Sequence, residues 1–219
     1  MMQAIMETAF DIVYLVTVTV LGIRMILGNR GPSRMFGWMA LLLGAGDAFH
    51  LVPRAYALCT DGLAAHAAAL GIGKCITSIT MTGFYVLLYL IGRKRYDLRS
   101  QTPTVLVGVL AVARILLCLL PQNQWTALNP PLLWGIYRNI PFLLLGLLVL
   151  VLFYLGARQS EDREFRWLWL AVTLSFAFYI PVVLWAETVP MVGMLMIPKT
   201  CAYVWIVVMG YRDMQKRNG

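Results

Sequence analysis

Seven apolar runs, each long enough to cross a membrane, follow one another along this chain, and they limit its folding more than any single residue does. A span needs about 20 apolar residues, and such windows fall at 5–27, 35–58, 64–91, 104–120, 132–157, 165–186 and 189–211. In hydrocarbon a backbone must satisfy its own hydrogen bonds, which leaves helices as the only reading of runs this long. The expected fold is therefore an all-α integral membrane protein, a single seven-helix transmembrane bundle over residues 1–219, with a short basic tail at 212–219. Hydrophobic residues make up 60% of the 219 and charged ones 13%, and mean hydropathy is +0.75, outside the range of ordinary water-soluble domains. The first run is preceded by Glu7 rather than a basic segment and carries Asp11, so it reads as a span rather than a signal peptide.

The net charge of +8 is placed as a topology signal. Arg30 and Arg34 separate runs 1 and 2. Arg93, Lys94, Arg95 and Arg99 separate runs 3 and 4, and Arg158, Arg163 and Arg166 separate runs 5 and 6. Arg212, Lys216 and Arg217 end the chain. The connections at 59–63, 121–131 and 187–188 have no Lys or Arg. By the positive-inside rule the amino terminus is expected outside and the carboxyl terminus in the cytoplasm, as in a bacterial inner membrane. This distribution speaks against nucleic acid as a partner; membrane lipid and a small molecule are the partners expected, and the oligomeric state stays open. The cysteines Cys59, Cys75, Cys118 and Cys201 form no CxxC pair; Cys59 and Cys118 both come out near the external surface, where pairing is open.

An internal echo adds a second level of organisation. Leu27-Gly28-Asn29-Arg30, Arg34-Met35-Phe36-Gly37-Trp38 and Ala48-Phe49-His50-Leu51 match in order Leu155-Gly156-Ala157-Arg158, Arg163-Glu164-Phe165-Arg166-Trp167 and Ala177-Phe178-Tyr179-Ile180. Leu70-Gly71-Ile72-Gly73-Lys74 likewise matches Leu195-Met196-Ile197-Pro198-Lys199. A parallel 3+1+3 repeat is expected, with copies at about 3–92 and 131–211 joined by a linker helix at about 103–120. This layout resembles the SWEET and PQ-loop transporters and the KDEL receptors, which implies a site between the copies. Pro121-Gln122, the pair that would carry the PQ-loop name, falls in a connection, so the substrates of those families are not carried over.

Within the spans stand ionisable residues, each a functional-site hypothesis because intramembrane charge is costly. Gly46-Asp47-Ala48-Phe49-His50-Leu51-Val52-Pro53-Arg54 places Asp47, His50 and Arg54 at i, i+3 and i+7, on one helix face. Lys74, Arg138 and Lys199 come out roughly 10–15 Å below the external surface at about 1.5 Å per residue. Arg114 on run 4 and Glu7 and Asp11 on run 1 join the same half. Charges at one depth on several helices are accommodated most cheaply around a shared polar cavity. Counting Glu187 as well, five cations stand against four carboxylates, which favours a small anionic or zwitterionic ligand, transported or sensed. The expected ligand-binding set is Asp11, Asp47, His50, Arg54, Lys74, Ser78, Tyr85, Arg138, Tyr179, Lys199 and Tyr203. Simpler readings stand beside it: Arg54 and Arg138 have the reach to snorkel to headgroups, and Asp47 could be a structural partner of Lys74 or Lys199.

Three chemistries compete with simple binding. Asp47, His50 and Ser78 have the residue types of a nucleophilic triad, which would make the chain an intramembrane lipid hydrolase; Gly46-Asp47 also resembles the lysoplasmalogenase family faintly. Lys199 inside the last run, with Tyr179-Ile180-Pro181-Val182-Val183-Leu184-Trp185 before it, resembles microbial rhodopsins and implies a retinal Schiff base, with Asp47 or Asp11 left to serve as counterion. Metal binding is disfavoured, since only two histidines are present and no HxxxH or HExxH occurs. No cofactor is expected under the leading reading.

Overall fold

A computed structural model describes residues 2–28, 32–60, 62–186 and 188–218. Seven α-helices account for almost all of it: α1 Met2–Gly28, α2 Pro32–Cys59, α3 Ala67–Arg95, α4 Thr102–Leu119, α5 Leu132–Gln159, α6 Leu168–Trp185 and α7 Met196–Asn218. Short 3-10 turns at Leu63–His66, Pro121–Asn123 and Pro190–Leu195 link three of the helix pairs. All seven helices are long and apolar enough to cross a membrane, which is the pattern of an integral membrane protein. Their outer surfaces bear large apolar side chains such as Val13 and Leu133, 65% and 60% exposed, a surface that water would not tolerate on this scale. The spans predicted from sequence agree with these helices within a few residues, apart from the seventh, where a 3-10 turn over Pro190–Leu195 delays the start of α7 to Met196 and the helix runs on to Asn218. The basic tail continues α7 for almost two more turns, because Asp213 is held by Arg95 and by Arg217 one turn on.

Consecutive helices lie side by side, α7 closes against α1, and α3 also packs against α5. Two faces result. At the amino-terminal face Glu7 of α1 meets Arg54 of α2 at 2.7 Å, and the connection after α4 meets α3 and α5. At the carboxyl-terminal face the ends of α1, α3, α5 and α7 meet the starts of α2 and α6. Phe36 stacks flat on Phe165 with 5.3 Å between centroids there, and Arg95 binds Asp162 and Asp213. Arg30 and Glu187, which the charge pattern includes, lie outside the described residues.

The core between the faces is aromatic. Tyr85, Phe142 and Phe176 pack against one another with centroids 5.0–5.5 Å apart, and the Tyr85 hydroxyl meets Ser175 Oγ at 3.0 Å. Close packing depends on glycine at several positions, Gly146 and Gly71 among them. A side chain at Gly146 of α5 would strike the Phe176 ring of α6, and one at Gly71 of α3 would strike the Trp125 carbonyl. All four cysteines are free, so the pairing of Cys59 with Cys118 that the sequence leaves open is not formed; Cys118 is buried beside Cys75.

Candidate functional site

The polar content of the amino-terminal half surrounds one cavity of about 550 Å³, within the usual range for small-molecule sites. Its walls come from α2, α3, α4, α5, α6 and α7, and its cover from the connection between α4 and α5. That cover is a built element. Asn123, fully buried, donates through Nδ2 to the carbonyls of Leu117, Cys118 and Leu120 at 2.6–3.3 Å. Trp125 Nε1 donates to the Cys118 carbonyl at 2.8 Å. A helix C-terminus leaves such carbonyls without partners, so the two side chains both cap α4 and hold the connection over the cavity.

Five cations line the space: Arg54, Lys74, Arg114, Arg138 and Lys199. No carboxylate lines it among the described residues. Each cation is positioned by a different contact. Arg54 is turned toward Glu7, and Arg138 donates to Asn123 Oδ1 at 2.8 Å with its guanidinium 4.2 Å from the Trp125 ring centroid. Lys74 is exposed at the head of α3. Lys199 is 7% exposed, with Nζ 4.4 Å from the Tyr179 centroid and 5.5 Å from that of Tyr203. Arg114 is 1% exposed, lies 3.3 Å over the Phe142 ring and leaves Nε and Nη1 without a hydrogen-bond partner. A desolvated cation–π contact recovers about 2 kcal/mol, well short of the cost of taking a guanidinium out of water. An anion arriving in the cavity would supply the missing partner.

Of the residues expected to bind ligand, His50, Arg54, Lys74, Ser78, Arg138, Tyr179, Lys199 and Tyr203 line this cavity, and Asp11, Asp47 and Tyr85 do not. Asp47 accepts a hydrogen bond from the Tyr14 hydroxyl at 2.6 Å, which draws it to the α1 side. Asp11 stays on α1 one turn beyond Glu7, and Tyr85 belongs to the aromatic core. Asp47, His50 and Ser78 share no hydrogen bond: His50 Nδ1 donates to the Leu70 carbonyl at 3.2 Å, and Ser78 Oγ donates to the Lys74 carbonyl at 2.8 Å. From sequence, Arg114 counts among the cations of the shared polar cavity without joining the ligand-binding set, and Asn139 and Trp125 are not singled out. An arginine thirteen residues into an apolar helix was the available signal for the first; nothing local marks the other two.

The apolar side of the site matters as well. A second, smaller cavity of about 120 Å³ lies between α5 and α6 and opens on the outer surface of the bundle. Ile136, Ile140, Leu143, Ile180 and Leu184 line it, while Asn139, Phe142, Tyr179 and Val183 face both spaces. The Tyr179 hydroxyl donates to Asn139 Oδ1 at 3.1 Å across this seam. Comparison of the chain with protein-family models, with curated proteins and with solved structures returned no significant match.

Proposed function

We propose that this membrane protein binds a small anionic molecule in the cavity of its amino-terminal half, for transport or for sensing. One observation carries the reading: five cationic side chains from five helices line one cavity without a carboxylate among the described lining residues. That balance favours an anion over a zwitterion, whose ammonium group would need an acidic partner. With the basic connections taken as cytoplasmic, the cavity faces the exterior. Lys74 and Lys199 stand at corresponding positions of the internal echo and both line the space, which fits a site between two repeated halves. Lys199, buried between two tyrosines, is the deep contact, and Lys74 is the shallow one.

The test is thermal unfolding of the purified protein in a non-ionic detergent, titrated with inorganic phosphate at fixed ionic strength, with choline as the cationic control. Binding to the folded state raises Tm with ligand concentration. Phosphate should raise Tm and choline should not, and Lys74→Met and Lys199→Met should each shift the titration to higher phosphate. Equal shifts in the parent chain and both variants would remove the assignment.

A further inference from the structure

Resting on the anion reading above, we infer that the ligand is an amphiphile, with its anionic headgroup among the cations and a single alkyl chain running out between α5 and α6. The two cavities are neighbours separated by shared side chains. Asn139, Phe142 and Tyr179 face the cationic space on one side and the apolar slot on the other. Arg114 lies against Phe142 and Lys199 against Tyr179, so each buried cation is in contact with one of the partitioning rings. A headgroup held by these two cations is thus one aromatic ring away from the slot.

The slot has a local cause. Deeper in the bundle Gly146 lets α5 close on Phe176. Toward the amino-terminal face both helices contain an internal proline, Pro141 and Pro181. Each proline deprives the carbonyl four residues earlier, at Tyr137 and Ala177, of its helical amide and disturbs the helix there. The seam is tight below and relaxed above, and what it exposes is aliphatic. Polar closure across it comes from the Tyr179 to Asn139 hydrogen bond. A single neutral hydrogen bond of this kind is weak enough for a chain leaving the bilayer to displace. A soluble anion has no use for an apolar slot beside its site, whereas an alkyl chain is stabilised by each CH₂ it buries there.

The experiment places the protein in phosphatidylcholine nanodiscs with a fatty acid bearing a diazirine in mid-chain, followed by irradiation and peptide mapping. The inference expects labelling concentrated on the slot residues Ile140, Ile180 and Leu184, several-fold above the lipid-facing surfaces of α1 and α4, and suppressed by Lys199→Met. Ile180→Trp, which fills the slot, should abolish this labelling while leaving stabilisation by inorganic phosphate intact; the phosphate response also reports that this variant is folded. Labelling spread evenly over the bundle, together with a phosphate response, would overturn the alkyl chain and leave the anion site standing. Even labelling with no phosphate response would overturn both.

Discussion

Arg95 and Arg114 both rest on phenylalanine rings and end in opposite states. Arg95 closes α3 and lies 4.1 Å from the Phe165 centroid, whereas Arg114 lies inside α4, 3.3 Å from that of Phe142. Arg95, at the carboxyl-terminal face, binds Asp162 through two nitrogens and Asp213 through a third at 2.9 Å. Arg114, in the other half, has no carboxylate against it. The carboxyl-terminal face is a completed network: Asp213 also takes Arg217 at 3.0 Å, Lys216 pairs with Glu164, and Asp162 accepts the Glu164 and Phe165 amides at the start of the turn into α6. It ties α3, the connection before α6 and α7 together. At the amino-terminal cavity Arg114 lacks that closure, its Nε and Nη1 having no hydrogen-bond partner among the described residues. A buried charge that is satisfied within the chain acts in stability; one that is left without its counter-charge acts in binding.

The largest expected effect breaks the completed side. Arg95→Met leaves Asp162, whose side chain is 7% exposed, without its cation and leaves Asp213, 9% exposed, with Arg217 alone. Loss of one partner of a buried pair costs about 3 kcal/mol or more, so a large fall in Tm is expected in detergent. Retention of the parent Tm would refute the structural role.

Acid should reach the same network. Burial by itself raises the Asp162 carboxyl, but hydrogen bonds and charge from Arg95, with the Phe165 amide and Tyr96 hydroxyl, outweigh it and hold the group below its ordinary value of 3.8. The same carboxylate, after burial, pushes the Tyr96 hydroxyl well above the usual tyrosine range. For a carboxyl depressed in the folded state, stabilisation is complete above the unfolded value and is lost as pH falls through the folded one. Tm should therefore drop on acidification below 3.8, and Arg95→Met should flatten that part of the profile. A parallel acid limb in parent and variant would place the titration elsewhere.

The same substitution on the other side should have the opposite sign. Arg114→Met removes an uncompensated cation and keeps apolar volume, so the ligand-free protein should be unchanged or more stable by about 1 kcal/mol, while its response to phosphate weakens. Marked destabilisation would mean that Arg114 is a structural group after all. The smallest effect is expected at the rim, where Arg54 is one-third exposed and paired with Glu7. Glu7→Gln should alter stability by less than about 1 kcal/mol and lower the phosphate concentration needed for stabilisation, because Arg54 then turns to the cavity. A weaker phosphate response would contradict the view that Glu7 holds Arg54 away from the cavity.

Asp47 shows where local reading stops. Its spacing with His50 and Arg54 points to one shared face of α2, yet of the three His50 and Arg54 line the cavity. The third is claimed by Tyr14, thirty-three positions earlier, and no pattern within α2 announces that partner. Lys74, Arg138 and Lys199 were legible because an apolar background makes each charge conspicuous and the helical rise sets its depth. The slot between α5 and α6 was not, since its lining is as aliphatic as any lipid-facing surface.

What the chain determined alone is the number of helices, their approximate ends and the crowding of cations into one half, because hydropathy and backbone hydrogen bonding act over a single span. Which charges find partners was decided by the tertiary structure. In helices apolar nearly all round, the rotation of each about its axis is left to side-chain packing between segments far apart in sequence. That rotation turned Asp47 toward Tyr14, gave Arg95 two aspartates and left Arg114 facing the cavity.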